Sequence, residues 1–274
     1  MHAVPPLQAW PVTALRAALA PLLPGFEIEV LADIDSTNSE LMRRARQGQS
    51  APLLLLAERQ HAGRGRMGRV WHSHTDPQGE ARAPASLTFS LGLAVQRREL
   101  SGLSLAVGLA IAQALHPAIG LKWPNDLWWK GRKLGGILIE TASLGAQRYC
   151  VIGIGLNLLA PNAADLRNPA AGLRELLPEL DATALLTRLA APLVHALLAF
   201  ETQGFAPLQA AYSRRDVLQG QALRCSDGRE GSGAGVDARG ALLLHTARGV
   251  EAVLSDEVSV RTSPDTSASD PAQG

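Results

Sequence analysis

Apolar positions along this chain recur at two periods, and the change from one to the other marks out its elements. Residues 12–22 carry apolar side chains at helical spacing, and Pro11, Pro21 and Pro24 fence that helix to about three turns. Residues 26–31 alternate and predict a strand, while 52–57 form a continuous apolar run of strand length that ends at Glu58 and Gln60. Between them, Thr37-Asn38-Ser39-Glu40 fits a capping box for a helix with Leu41, Met42 and Ala45 on one face and Gly48 as its stop. Residues 85–94 return to a strand pattern. Residues 103–115 are the longest apolar run; Ser104, Gly108 and Gln113 interrupt it and it is too short to span a bilayer, so it predicts a core helix. Strands follow at 133–140 and 149–158, then a Pro- and Asn-punctuated stretch at 161–180 and a long amphipathic helix at 182–200.

Near Asp216 the pattern changes. Residues 221–261 break into short alternating segments separated by Gly and Asp, the pattern of a small β-barrel. The tail from Ser263, rich in Ser, Asp and Pro, is expected to be disordered, and the polar stretch 73–85, with Pro77, Gly79 and Pro84, reads as an exposed insertion. The expected division is a helical lead-in at 1–25, a main domain at 26–214, a small domain at 215–262 and the tail at 263–274.

Composition narrows the classes. With 274 residues, 46% of them hydrophobic, the chain buries one sizeable core and a small satellite. Lys plus Arg (26) against Asp plus Glu (25) leaves a net charge of +1, so no global field draws it to DNA or a membrane and any basic patch is local. Cys150 and Cys225 lie far apart and no secretory n-region and h-region opens the chain, so a reduced, cytoplasmic setting is expected. The stretch before the first strand is too short for a winged-helix DNA-binding domain, so no repressor role is expected.

The candidate chemistry centres on residues 58–71, ERQHAGRGRMGRVW. Gly63, Gly65 and Gly68 alternate with Arg64, Arg66 and Arg69, so a backbone free to bend carries three guanidinium forks, which suits phosphate. Mutual Arg repulsion predicts a loop that stays mobile until an anion neutralises it, with Trp71 beyond it ready to stack on a flat base. An ordinary basic surface loop explains the same composition. The strand-to-helix turn at Asp35, Ser36, Thr37 and Asn38 offers hydroxyls and N–H groups to a ligand, or simply caps the helix. Farther on, Trp123-Pro124-Asn125-Asp126 forces a break and 130–132 a second turn, so two short strands bracket a polar corner. Gly135 and Gly136 in the second strand, and Gly153 and Gly155 in the next, point to close approach of a ligand; for the first pair a bulge or packing against a bulky neighbour such as Trp128 is the alternative. Asn157 ends the last of these strands.

Taken together, DSTN at 35–38, GRGRMGR at 63–69, KWPND at 122–126, KLGGIL at 133–138 and GIGLNL at 153–158 resemble the biotin–protein ligases, in that family's order. The resemblance implies an α/β (α+β) fold, a mixed-sheet catalytic domain of the biotin/lipoate ligase type followed by a small SH3-like β-barrel. It implies an ATP-dependent, AMP-forming enzyme that joins biotin to ATP as biotinyl-5′-AMP and passes it to a lysine of a biotin carboxyl carrier domain. ATP and Mg²⁺ are then the expected cofactors and biotin the substrate, in a monomer or weak homodimer with no nucleic-acid or membrane partner. Carried over by motif, Ser36, Thr37, Asn38, Gln60, Gly63, Arg64, Gly65, Arg66, Lys133, Gly136 and Gly155 are expected at biotin, with Lys133, Arg66 and Arg64 catalytic. Arg66, Arg69, Trp71, Asn125 and Asn157 are expected at the nucleotide and Asp126 at Mg²⁺, although a turn-forming Asp is an equal account of Asp126. Two departures stand out: Met67 occupies a position the family fills with a basic or polar residue, and the insertion after His72 is long.

Two rival readings remain. A lipoate-type ligase of the same fold should carry an RRxxGGG segment, which is absent. A non-enzymatic nucleic-acid binder would use the Arg/Gly loop and the small barrel, against which the neutral net charge speaks. The missing GxxxxGK[ST] excludes a P-loop switch.

Overall fold

The protein is described here by a computed structural model covering residues 9–73, 84–144, 147–161, 169–254 and 261–262. Most of the expected insertion at 73–85 and the expected tail at 263–274 lie outside the described residues.

A seven-stranded mixed sheet carries the fold, in the order β1-β2-β3-β7-β6-β5-β4. Strands β1 (Glu27–Ile34) and β2 (Leu53–Gln60) run parallel, joined by helix α2 (Thr37–Arg46), as a parallel pair requires a crossover. Every other pairing is antiparallel, through β3 (Ser86–Val95), β4 (Gly120–Lys122), β5 (Asp126–Trp129), β6 (Arg132–Leu144) and β7 (Gln147–Asn157). The continuous apolar run in β2 is explained by burial on both faces. Leu54 and Leu56 enter the main core with α1 (Val12–Leu19), α3 (Leu103–Leu115) and α4 (Ala182–Gln203), while Leu55 turns to the opposite face and packs with Leu41, Met42 and Ala45 of α2. In β7, Ile152 and Ile154 face the main core and Tyr149 and Val151 the α2 side, the period-2 alternation of a strand. Helix α4 is long and apolar enough to cross a membrane, but Leu185, Leu186, Leu189, Leu193, Val194 and Leu197 on it belong to the main core.

The C-terminal part forms a second, five-stranded antiparallel sheet ordered β11-β10-β9-β8-β12, from β8 (Ala222–Arg224), β9 (Glu230–Val236), β10 (Leu242–Thr246), β11 (Gly249–Val253) and β12 (Arg261–Thr262). Its Leu223, Val236, Leu242, Leu244 and Val253 join the main core, behind α5 (Gln209–Ser213). Ahead of β8 the chain pairs with β4: the Leu121 N–H donates to Arg215 O (2.7 Å) and the Val217 N–H to Leu121 O (3.0 Å).

Three local expectations shift. The first helix stops at Leu19, because Pro21 has no N–H with which to continue it. The helix cap lies one residue earlier than expected, without the reciprocal half of a box. Ser36 is the N-cap and accepts from the Ser39 N–H at 3.4 Å, since the Thr37 hydroxyl is taken by Gln60 and Ser90; Glu40 binds Arg43 and Arg44 instead of reaching back. The strand expected at 133–140 runs on to Leu144, paired with β7 throughout.

Candidate functional site

The open end of the main sheet holds a cavity of about 670 Å³. Into it project the N-terminus of α2, the end of β2, the Gly–Arg loop, the turn between β4 and β5, the start of β6 and the end of β7. Every residue expected at a ligand lines it except Gly63, whose carbonyl accepts from the Trp71 N–H (2.9 Å) at the base of the loop. Segments more than a hundred residues apart thus converge on one space.

On the α2 side the polar groups are tied together. The backbone N–H of Thr37 (2.7 Å) and its hydroxyl (3.0 Å) both donate to Gln60 Oε1, and that hydroxyl also meets Ser90 Oγ at 2.7 Å. Ser90 donates to Asn38 Oδ1 (2.6 Å), and Asn38 Nδ2 donates to Leu138 O (3.3 Å) and Glu140 Oε2 (3.1 Å). Ser36, Thr37, Asn38, Gln60 and Ser90 are all buried, so this chain of bonds is what makes their desolvation tolerable. Arg43 binds Asp35 at 2.7 Å and holds its carboxyl below the usual range, while Asp35 Oδ1 accepts from the Ser36 N–H (2.7 Å). The turn is therefore braced from outside the cavity.

The Gly–Arg loop is folded by its own backbone. Besides the Trp71 N–H bond to Gly63, the Gly65 N–H donates to Arg69 O (2.7 Å) and the Arg69 N–H to Arg66 O (3.2 Å), with Met67 left-handed at φ 55°. Arg64 is neutralised from within the protein: its Nη2 reaches Glu140 Oε1 at 3.0 Å. Met67 and Val70 are exposed at 66% and 65%.

Opposite this loop, Lys133 Nζ donates to Asp126 Oδ1 at 2.7 Å. Asn125 Nδ2 donates to Ile137 O (2.7 Å), fixing the turn on β6, and Asn157 Nδ2 donates to Lys133 O (3.4 Å) and Ala171 O (3.3 Å). Lys122 is buried with Nζ 4.2 Å from the centroid of the Trp128 ring, a cation–π contact that keeps a positive charge at the cavity wall. Behind the turn, whose Trp123-Pro124 peptide is cis, Trp123 is buried and donates to Gly240 O (3.0 Å).

The glycines have protein neighbours. A Cβ on Gly155 would fall 2.6 Å from Cζ2 of Trp71, whose indole N–H donates to Thr88 Oγ1 at 3.2 Å; a Cβ on Gly153 would fall 2.8 Å from Cγ of Asn38. Gly135 lies against Leu156, and Gly136 under the Lys133–Asp126 pair. The bulge in this region is on β6: Leu127 pairs with Gly135 and Trp128 with Lys133, which leaves Leu134, next to Gly135, as the extra residue.

Among the described residues, no group of three or more His, Cys, Asp or Glu is set to hold a metal. A lone carboxylate at Asp126, already bonded to Lys133, is no all-protein cage, so Mg²⁺ fits here only as an ion brought in on nucleotide phosphates. Sequence reasoning missed Ser90, Thr88 and Glu140. For the first two a signal existed: Ser86, Thr88 and Ser90 recur every second residue in an otherwise apolar strand, a polar stripe on its cavity face. Glu140 had none, since only the tertiary fold brings Arg64 to it.

Known proteins resemble this chain over most of its length. The profile of the biotin/lipoate A/B protein ligase family matches residues 30–157. The biotin–[acetyl-CoA-carboxylase] ligase of Paracoccus denitrificans is 34% identical over 247 residues, 84% of this chain and 98% of that protein. The bifunctional ligase/repressor BirA of Escherichia coli is 33% identical over 252 residues, 88% of this chain and 76% of that protein. Among solved structures, an Aquifex aeolicus biotin protein ligase variant in complex with biotin superposes with a TM-score of 0.72 at 25% identity, over 86% of this chain and 98% of its own. The same enzyme in complex with biotin and ATP gives 0.72 at 24% identity, over 86% and 99%, a likeness of fold.

Proposed function

Since the chain belongs to the biotin/lipoate A/B protein ligase family and is a ligase of the biotin–protein type, we propose that it makes biotinyl-5′-AMP and transfers biotin to a lysine of a biotin carboxyl carrier domain. The observation that carries this is the single cavity in which Ser36 to Asn38 and Gln60 stand on one side, Asn125, Asp126 and Asn157 on the other, and Lys133 and the Gly–Arg loop between them. About 670 Å³ is within the range of small-molecule sites.

Biotin's carboxylate is ionised at neutral pH and needs no general base to attack the α-phosphate of ATP; what it needs is relief from charge repulsion. In our reading Arg64, Arg66, Lys122 and Lys133 supply that relief, and loss of one preorganised contact costs about 3 kcal/mol. A Mg²⁺ ion would add charge neutralisation on the phosphates, with Asp126 as its one protein carboxylate. The carboxylate oxygen bonds to phosphorus and pyrophosphate leaves. Next, the neutral amine of the carrier lysine attacks the carbonyl carbon of the mixed anhydride, the amide forms and AMP departs. Lys133 stabilises the charge that gathers on the carbonyl oxygen, and its own positive charge favours the neutral form of the incoming amine. Arg69 and Trp71 hold the nucleotide, with the indole seated on the bare backbone of Gly155. Gln60, Ser36, Thr37 and Asn38 hold the ureido end of biotin, with Gly63 and Gly65 giving the loop its turns and Gly136 leaving room beneath Lys133.

The test is mass spectrometry of a biotin carboxyl carrier domain after incubation with this protein, biotin and MgATP. The mass of one biotinyl group is expected, dependent on ATP and on the carrier's lysine. An unchanged mass overturns the reading, and a lipoyl addition with lipoate in place of biotin selects the rival substrate.

A further inference from the structure

Glu140 stands outside the cavity lining, yet it is bonded to both halves of the site described above as biotin's. Its Oε1 accepts from Arg64 Nη2 at 3.0 Å, and its Oε2 accepts from Asn38 Nδ2 at 3.1 Å and lies 3.4 Å from Arg64 Nη1. Arg64 belongs to the Gly–Arg loop, 76 residues away in sequence, and Asn38 to the first turn of α2, 102 residues away. Arg64 Nη1 also lies 3.4 Å from Ser39 Oγ, so loop, helix and strand meet at this carboxylate.

Position and charge explain why a carboxylate is wanted here. β6 runs beneath α2, and its Leu138 carbonyl and Glu140 side chain together take up both amide hydrogens of Asn38. The Asn38 oxygen is held by Ser90, so the amide has one orientation available to it. The guanidinium of Arg64 carries a full charge that would otherwise stand beside those of Arg66 and Arg69 on one short loop; Glu140 offsets it before any ligand arrives. The base of the loop is thereby drawn onto the α2 turn while its tip, at Met67, remains exposed.

We infer that Glu140 is a positioning residue, which sets Arg64 and Asn38 relative to each other so that the biotin end of the cavity is pre-formed while the tip of the Gly–Arg loop stays open. It acts through Arg64 and Asn38 and touches no substrate itself. The inference rests on the biotin site proposed above. The ion pair is about half exposed on its Arg64 side (48%, against 22% for Glu140), which limits its strength, so the expected effect is moderate.

The test uses the full chain with Glu140→Gln, which keeps the shape and loses the charge, and Glu140→Ala as a second variant. Calorimetry should show biotin binding weakened about tenfold in both, while the KM for ATP stays within about twofold of wild type. Without ligand, trypsin should cut after Arg64, Arg66 or Arg69 several-fold faster in both variants than in wild type, a readout that needs neither biotin nor activity. Arg64→Ala combined with Glu140→Gln should weaken biotin binding by clearly less than the sum of the two single effects, because part of the Glu140 effect runs through Arg64. If wild type fails to bind biotin, the proposed function falls. If wild type binds biotin and the Glu140 variants match it in affinity and in loop cleavage, or if the two substitutions are additive, the positioning inference is overturned while the function stands.

Discussion

Gly155→Ala makes the sharpest demand on the site geometry. The added methyl would sit 2.6 Å from Cζ2 and 2.9 Å from Cδ2 of Trp71, whereas carbon atoms pack at about 3.5 Å or more, so the ring must retreat by roughly 1 Å. That movement breaks the 3.2 Å bond from the indole N–H to Thr88 Oγ1. Overpacking costs about 1–3 kcal/mol and the lost hydrogen bond about 0.5–1.5 kcal/mol. Because Trp71 is only half-buried, it can swing into the cavity and relieve most of the strain there, so the cost falls on nucleotide binding more than on folding. Nucleotide affinity should drop about 10- to 100-fold, equivalent to roughly 1.4–2.8 kcal/mol, with Tm lowered by a few degrees. Titration calorimetry with ATP and with biotin separates the effects, and Trp71 fluorescence reports the displaced ring. Thr88→Val, which removes the acceptor without crowding the ring, should weaken nucleotide binding in the same direction but less. ATP affinity equal to wild type in both variants would refute the argument that the seat of Trp71 holds the nucleotide.

Gly153→Ala, two residues earlier on β7, should do the complementary thing: its methyl meets Asn38, so biotin affinity should fall and ATP affinity hold, as read by the same calorimetry. Arg66→Gly should release biotinyl-5′-AMP faster and biotinylate a bystander protein lacking a carrier fold, since it removes a guanidinium and adds backbone freedom; adenylate made but retained as in wild type would count against the loop as a lid. Burial raises the Asp216 carboxyl above its ordinary value in the folded state, and its Oδ2 has no hydrogen-bond partner among the described residues. The folded protein therefore holds that proton more tightly than the unfolded chain, and stability falls as pH rises from the unfolded carboxyl range through the raised folded value. Asp216→Asn should raise Tm at pH 7, with the gain shrinking toward pH 4; a pH-independent difference would contradict it.

Much of this protein is decided within short stretches of sequence. The βαβ crossover around α2, the apolar helix α3 and the long helix α4 follow from periodicity and turn residues, because local sterics and one-sided burial act over a few neighbouring positions. The motifs at 35–38, 63–69, 122–126, 133–138 and 153–158 are likewise legible, since each puts special backbone or charge into a few consecutive residues. How they are held is decided elsewhere. Gly153 and Gly155 read as room for a ligand, but the nearest groups are Asn38 and Trp71, side chains delivered by other elements. The Gly–Arg loop reads as a cluster of repelling charges, yet Arg64 meets Glu140 across 76 residues. Trp123 reads as part of a turn, yet its indole N–H ends on the Gly240 carbonyl in the turn between β9 and β10, 117 residues on. Hydrogen bonds and ion pairs have ranges of a few ångströms and no memory of sequence separation. Which partners satisfy a buried or charged group is therefore settled only when the sheet order and the docking of the C-terminal strands have brought them together.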